Sequence, residues 1–325
     1  MELRKETRKI QLIGTSSYMI SLPKKWITSL NLKQGDEVIL HAQTDRIVVM
    51  PKKFEKSGIV RIIMRGIPSL DYDFLKRYIY AIYMLGFDEV ILEDVEASPT
   101  LITKLSEIIQ KLIGMEIIDV SKTRIVFRIL VTPELDIESV LKRMVQMVSS
   151  MFDDAGNGIT DRERLKNLII TEEMVDRFYW LAVRLENRLT RESASWGEIR
   201  YILGSRMVAK MIEDIADHLV KFGGYADDLS FGMDDTKSLV SEIQDVFKQS
   251  FNSFVNRDII SSEKIIECIE ELQRKIVGKI SGSDDVKYSL CLLTLFEITE
   301  KIRSVSEIAI NRAVRELAEK QSGIV

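Results

Sequence analysis

Cysteine, histidine and proline are all scarce in this chain, and each shortage argues against a class of function. The two cysteines, Cys268 and Cys291, fall inside apolar helical patterns and no CxxC pair occurs. They read as small buried hydrophobes in a reducing compartment. The two histidines, His41 and His218, weigh against a histidine-rich metal centre and against a Ser-His-Asp triad. The Glu-x-x-His pair that di-iron carboxylate bundles commonly use is missing, because Ile215 stands three residues before His218. No nucleophile or general base stands out, so the expectation is a protein that is not an enzyme. The N-terminus carries no apolar signal run and no window approaches 18 uncharged apolar residues, which predicts a cytoplasmic protein without membrane insertion.

A length of 325 residues suits two or three domains, and 46% hydrophobic residues are enough for sizeable cores. The net charge of −4 is spread unevenly. Residues 1–56 hold 11 Lys and Arg against 6 Asp and Glu, a charge of +5, which leaves −9 for the rest. A basic head on an acidic body suggests a head that meets a polyanion, although a few solvated lysines give the same count.

Only five prolines occur, and none follows Pro133. Before it the chain reads as short elements. Residues 1–54 hold short strands around one small helix from Lys24 to Leu30, with turns at Gly14-Thr-Ser-Ser17, Gln34-Gly-Asp36 and Thr44-Asp45. So few short strands bury little surface alone, which predicts an intertwined homodimer through residues 1–54. Residues 55–132 read as a β-α-β-α-β(β) module with Ser98 as N-cap and Pro99 at the first helical position. The module has no Gly-rich phosphate loop, and its sequence does not choose between ligand sensor and spacer.

After Pro133 the pattern is helical almost throughout, with helices expected at about 134–153, 161–192, 194–222, 234–256, 258–280 and 284–320. Loops are expected at Asp153-Asp-Ala-Gly-Asn-Gly158, from Gly223 to Asp235, and at Ser281-Gly-Ser-Asp-Asp285. Three helices, a linker and three more suggest two related three-helix bundles, residues 133–228 and 229–325. The fold expected is therefore multidomain and mainly α.

Two acid pairs stand out in the first bundle. Glu213 and Asp217 are four apart, as are Glu172 and Asp176, so each pair shares one helix face. Two such helices side by side offer four carboxylates to a hard cation. Chance alone places an acid pair at this spacing about 8 times in such a chain, usually on a solvated face.

Two stretches resemble known families. Gly14-Thr-Ser-Ser-Tyr-Met-Ile-Ser-Leu-Pro-Lys-Lys-Trp26, Leu32-Lys-Gln-Gly-Asp-Glu-Val38 and Ile47-Val-Val-Met-Pro51 resemble the SpoVT/AbrB family, the swapped-hairpin DNA-binding fold also seen in MazE-type antitoxins. The resemblance implies a dimer that presents Arg8, Lys9, Lys24 and Lys25 to DNA. Four clustered cations, doubled by a dimer, would bind in a salt-dependent way. Ile212-Glu-Asp-Ile-Ala-Asp-His218 and Glu172-Glu-Met-Val-Asp-Arg-Phe-Tyr-Trp180 resemble the third and second helices of a PhoU-family bundle. That implies a multinuclear metal site of Fe, Zn, Mn or Mg at Glu172, Asp176, Glu213 and Asp217. The second bundle departs from the pattern: Ser304 stands four residues after Glu300 where an aspartate belongs, and Ile269 and Gln273 fall at the other acid pair. Its metal site is expected to be lost. Together the resemblances imply a phosphate-uptake regulator that acts on phosphate transport genes through DNA, with a component of a phosphate ABC transporter as a further partner. The alternative is a PhoU-like adaptor that inhibits such a transporter and uses residues 1–54 only to dimerise.

Overall fold

The computed structural model describes residues 6–42, 47–52, 59–130, 136–192, 196–227 and 229–322. The turn expected at Thr44-Asp45 lies outside these residues, and so do the chain segments around the boundaries expected at 54/55, 132/133 and 228/229. By its internal contacts the chain forms two compact units, residues 1–58 and 59–325.

The first unit holds two antiparallel hairpins and one short helix. Strand β1 (Gln11–Ile13) pairs with β2 (Ser17–Met19), α1 spans Lys24–Ser29, and β3 (Val38–Ala42) pairs with β4 (Ile47–Pro51). These elements build no core of their own. Ile10, Leu12, Tyr18, Ile20, Leu40 and Ile47 are all more than half exposed. Among the described residues of this unit, Pro51 is the one buried side chain.

The second unit begins with a six-element α/β module: β5 (Arg61–Arg65), α2 (Tyr72–Met84), β6 (Glu89–Glu93), α3 (Pro99–Ile109), β7 (Met115–Ser121) and β8 (Arg124–Ile129). The strand order is β5-β6-β8-β7, with β5 and β6 parallel and the other neighbours antiparallel. Alternation along the strands sends Val90, Leu92, Ile125 and Phe127 to one face, where they meet Leu75, Ile79, Leu105 and Ile108 of the two helices. Both helices start where a side chain accepts a free backbone N–H. Asp71 takes that of Phe74 at 3.0 Å, and Ser98 that of Leu101 at 3.3 Å.

Six long helices follow: α4 (Ile137–Gly158), α5 (Arg162–Glu192), α6 (Trp196–Ala226), α7 (Met233–Asn256), α8 (Ile259–Ser281) and α9 (Val286–Ser322). They form two sets of three, but one continuous apolar core runs through both, from Ile137 on α4 to Ala309 on α9. The stripe Ile137, Val140, Leu141, Met144, Val148 and Met151 lies wholly inside it.

One expected loop is helix instead, and the loop expected from Gly223 to Asp235 is confined to the chain between Ala226 and Met233. Residues 153–158 continue α4, and Gly223-Gly224 lie inside α6. Gly158 and Gly223 make room rather than turns. A Cβ on Gly158 would stand 2.4 Å from a methyl carbon of Leu165, so glycine is what lets α5 fold back closely onto the end of α4.

The α/β module sits on α5 through the end of α2. Buried Arg184 donates to the carbonyls of Tyr83 at 3.0 Å and Phe87 at 2.7 Å, Asn187 donates to Met84 O at 2.7 Å, and Arg191 reaches Gly86 O. These side chains supply donors to carbonyls at and just past the end of α2, where the helix no longer does; Tyr83 O also accepts from Gly86 N at 3.2 Å. Gly86 has φ +79°, and a Cβ there would lie 2.8 Å from Arg184 O and 3.0 Å from Arg188 N, both fixed backbone atoms. Gly86→Ala is therefore expected to destabilise the protein by about 2 kcal/mol or more, through strain and collision together. Gly224→Ala, in a helix with open space around the new methyl group, should be neutral or stabilise by about 0.5–1 kcal/mol. Urea unfolding midpoints of the two variants decide the point, and equal midpoints would show that α2 and α5 are not in fixed contact.

Candidate metal centre

Helices α5 and α6 lie side by side and run in opposite directions, which brings residues 172–176 of one beside residues 213–217 of the other. Glu172, Asp176 and Asp217 each place a carboxylate oxygen within 4.8 Å of the other two. All three are half-buried. Burial is the largest influence on Asp176, followed by the charges of Glu172 and Asp217, and its pKa is pushed up to about 7 although Lys210 and Lys76 act the other way. Glu172 is also raised, by burial and then by the charge of Asp217, with which it shares a hydrogen bond. Such a group must hold protons or a cation, because three negative charges at this spacing repel strongly out of bulk water.

The fourth expected acid does not join the other three. Glu213 turns to Lys210, whose ammonium group also lies 2.9 Å from Asp214. Burial still raises Glu213 to about 7 despite the hydrogen bond from Lys210, and Asp217 and Asp176 add to the rise. Asp214 is paired a second time, to Lys301 of α9 at 3.0 Å. His218 faces away from the cluster. Its Nδ1 meets Asp214 O at 2.5 Å and its Nε2 meets Glu297 of α9 at 3.1 Å. The donors that remain are carboxylate oxygens, a set suited to Mg, Mn or Fe more than to softer ions.

The corresponding place in the second bundle is built differently. Ile269 is fully buried, Gln273 donates to Glu300 and, at 3.1 Å, to Thr299 Oγ1, and Ser304 donates to Glu300 O at 3.0 Å. At the positions that correspond to the acid pairs, this bundle offers one carboxylate, Glu300, held by a neutral amide.

In the first unit Lys24 and Lys25 open α1, and Arg8 and Lys9 precede β1. All four are exposed. Arg8 is drawn into an ion pair with Glu6, whereas among the described residues no ion pair holds Lys9, Lys24 or Lys25.

Residues 11–62 match the family model "Antidote-toxin recognition MazE, bacterial antitoxin", and residues 141–225 match the PhoU domain model. The chain thus joins a MazE-like head to a PhoU-like body. A solved structure, PhoU from Pseudomonas aeruginosa, superposes with a TM-score of 0.50 at 16% sequence identity, over 56% of this chain and 96% of that one. At that identity the likeness concerns the fold. No curated protein matches the chain. The PhoU match takes in both helices that carry the acid cluster.

The PhoU-like body holds one more acid that sequence spacing did not single out. Glu186 of α5 is 1% exposed, neither of its oxygens has a hydrogen-bond partner among the described residues, and the nearest cation, Arg206, is 4.0 Å away. Glu186 lies at helical spacing from Asp176 and Tyr179 on the side of α5 that faces α6. Lys210 was legible as a neighbour of Glu213 and Asp214 at i+3 and i+4, but an acid without a partner shows only in three dimensions.

Burial pushes the Glu186 carboxyl up to about 8, with Arg206 opposing. The unfolded chain releases this proton near pH 4.5, whereas the folded chain holds it to about pH 8. The contribution of this group to stability is therefore greatest below about pH 4.5 and falls as pH rises toward 8. Glu186→Gln removes that decline. The variant should match the parent near pH 4.5 and exceed it by roughly 1–3 kcal/mol at pH 8. Parallel stability–pH curves for the two proteins would refute the assignment.

Proposed function

We propose that this protein is a cytoplasmic, non-enzymatic regulator of phosphate uptake, with a DNA-binding dimeric head and a cation-binding PhoU-like body. The observation that carries the reading is the convergence of Glu172, Asp176 and Asp217 inside the segment that matches the PhoU domain. Those three residues would hold a divalent cation, and Glu213 would complete the set by leaving Lys210. The cation supplies the positive charge that the cluster otherwise obtains from bound protons, and so ties α5 to α6.

The head supports the DNA-binding part. Its apolar side chains are exposed within one chain, and a second copy exchanging hairpins would cover them and bring two sets of Arg8, Lys9, Lys24 and Lys25 onto one particle. The same exposed apolar set favours a second reading. Dimerisation alone accounts for it, which would leave the body to act as an adaptor on a phosphate transporter.

Two measurements test these readings. Asp176→Asn with Asp217→Asn should abolish metal binding and the rise in melting temperature that added Mn produces, whereas Glu300→Gln should change neither. If the double variant keeps its metal, the cluster is not the site. Lys24→Ala with Lys25→Ala should weaken binding to duplex DNA of any sequence and lower the magnitude of the salt slope by about 3 to 4, since each dimer loses four cations that would meet phosphates. No retardation of DNA by the parent at low salt would favour the adaptor.

A further inference from the structure

Helix α2 of the α/β module packs on α5 along the stripe beside the one that carries Asp176. Trp180, one turn beyond Asp176, lies under Tyr80 of α2 with ring centroids 4.1 Å apart. Lys76, one turn before Tyr80, places its ammonium group 5.7 Å from the centre of the Tyr80 ring. Lys111 of the same module pairs with Glu173 at 3.1 Å. The module thus packs directly beside the acid cluster.

Two features of this contact are unexplained by packing. Tyr80 is 7% exposed, and its hydroxyl is buried with no hydrogen-bond partner among the described residues. A phenol of this kind normally finds a partner when buried. Its pKa is pushed up to about 12 by burial, then by Tyr72, Asp176 and Glu173, so it carries its proton and lies within reach of the field of Asp176. Lys76, in turn, carries a charge that acts on Asp176, as does that of Lys210. Lys210 is bound to Glu213 and Asp214. No ion pair holds Lys76 among the described residues, which leaves it as a loose counter-ion of the cluster.

We propose that α2 forms a third wall of the cation site, with Lys76 a tethered counter-ion that opposes the incoming cation and Tyr80 the hydrogen-bond partner of the water or anion that the bound cation retains. This rests on the reading of Glu172, Asp176 and Asp217 as a cation site. Both are positioning residues: neither is a ligand, and each acts through what the carboxylates hold. A divalent ion that enters beside Asp176 repels the Lys76 ammonium. Three carboxylates leave a hard cation with open positions, which water or an anion fills. The Tyr80 hydroxyl then gains the partner it lacks. Cation occupancy is in this way felt by the α/β module through two side chains of one helix.

The test is calorimetric titration of the full-length protein with Mn, together with thermal melts with and without the ion. Lys76→Met should bind Mn about 3- to 10-fold more tightly than the parent, because a repelling charge is gone, while Lys76→Arg, which keeps the charge, should stay within about twofold. Tyr80→Phe should bind Mn about 2- to 10-fold more weakly for want of one hydrogen bond. Without metal its melting temperature should equal or exceed that of the parent, since no hydrogen bond is lost. A purely structural Tyr80 or Lys76 would not give this pattern. If the parent binds Mn through Asp176 and Asp217 but Lys76→Met and Tyr80→Phe bind as the parent does, α2 has no part in the site and the proposal falls alone. If Asp176→Asn with Asp217→Asn binds as the parent does, the cation site itself is wrong and the proposal falls with it.

Discussion

The repulsion among Glu172, Asp176 and Asp217 is the constraint to which the surrounding structure answers. Three carboxylate oxygens within 4.8 Å on half-buried helix faces would separate if the helices were free to move. They are not free, because both helices are set deep in one core. Leu168, Val175 and Ala182 recur at seven-residue spacing on α5, and Ile212, Ile215, Ala216 and Leu219 on α6, all nearly inaccessible. Packing at interior density fixes the backbones, so the charges must be met by protons or cations instead of by movement. Burial first, and the neighbouring carboxylates after it, raise the pKa values of Glu172, Asp176 and Glu213, so these groups hold their protons more tightly than free carboxyls do.

The second bundle is the same architecture without the conflict. Its buried serines are matched with one another, and its one buried cation among the described residues, Arg312, is paired with Glu316 and donates to Phe254 O. Ser250 and Ser306 lie 2.8 Å apart with Ser250 donating to Ile302 O, and Ser253 and Ser262 pair at 3.0 Å. Such pairs satisfy buried donors locally and need no ion. The two bundles also share one core, so the quiet bundle supports the strained one. Lys301 and Glu297 of α9 extend that support as charge, through Asp214 and His218 of α6.

Much of this was legible in the sequence because it depends on local pattern. Apolar spacing gave all six long helices, and Ser98-Pro99 marked the start of α3. Acid pairs four residues apart named three of the residues that converge. The misreadings have a common cause. Gly156, Gly158, Gly223 and Gly224 resemble loop residues in sequence, but they lie in helices, where at Gly158 and Gly223 close packing against Leu165 and Leu168 leaves no room for a side chain. The diversion of Glu213 to Lys210, the orphaned Glu186 and the arrival of α2 beside Asp176 depend on which faces meet, and no spacing along one helix encodes that.

Helix α5 shows how one segment can serve three neighbours. Its residues fall into three stripes of near-heptad spacing. Leu168, Val175 and Ala182 enter the core, Glu172, Asp176, Tyr179 and Glu186 turn to α6, and Glu173, Trp180, Arg184, Asn187 and Arg191 meet the α/β module. From Leu181 to Glu186 every residue is buried, so the helix is enclosed on all sides there. An enclosed helix cannot shift toward one neighbour without losing contact with another. A change of charge at Asp176 therefore has few outlets, and the side chains with freedom to respond are the long ones at the margin. Lys210 and Lys76 are those side chains, one on the α6 side of the cluster and one on the α2 side.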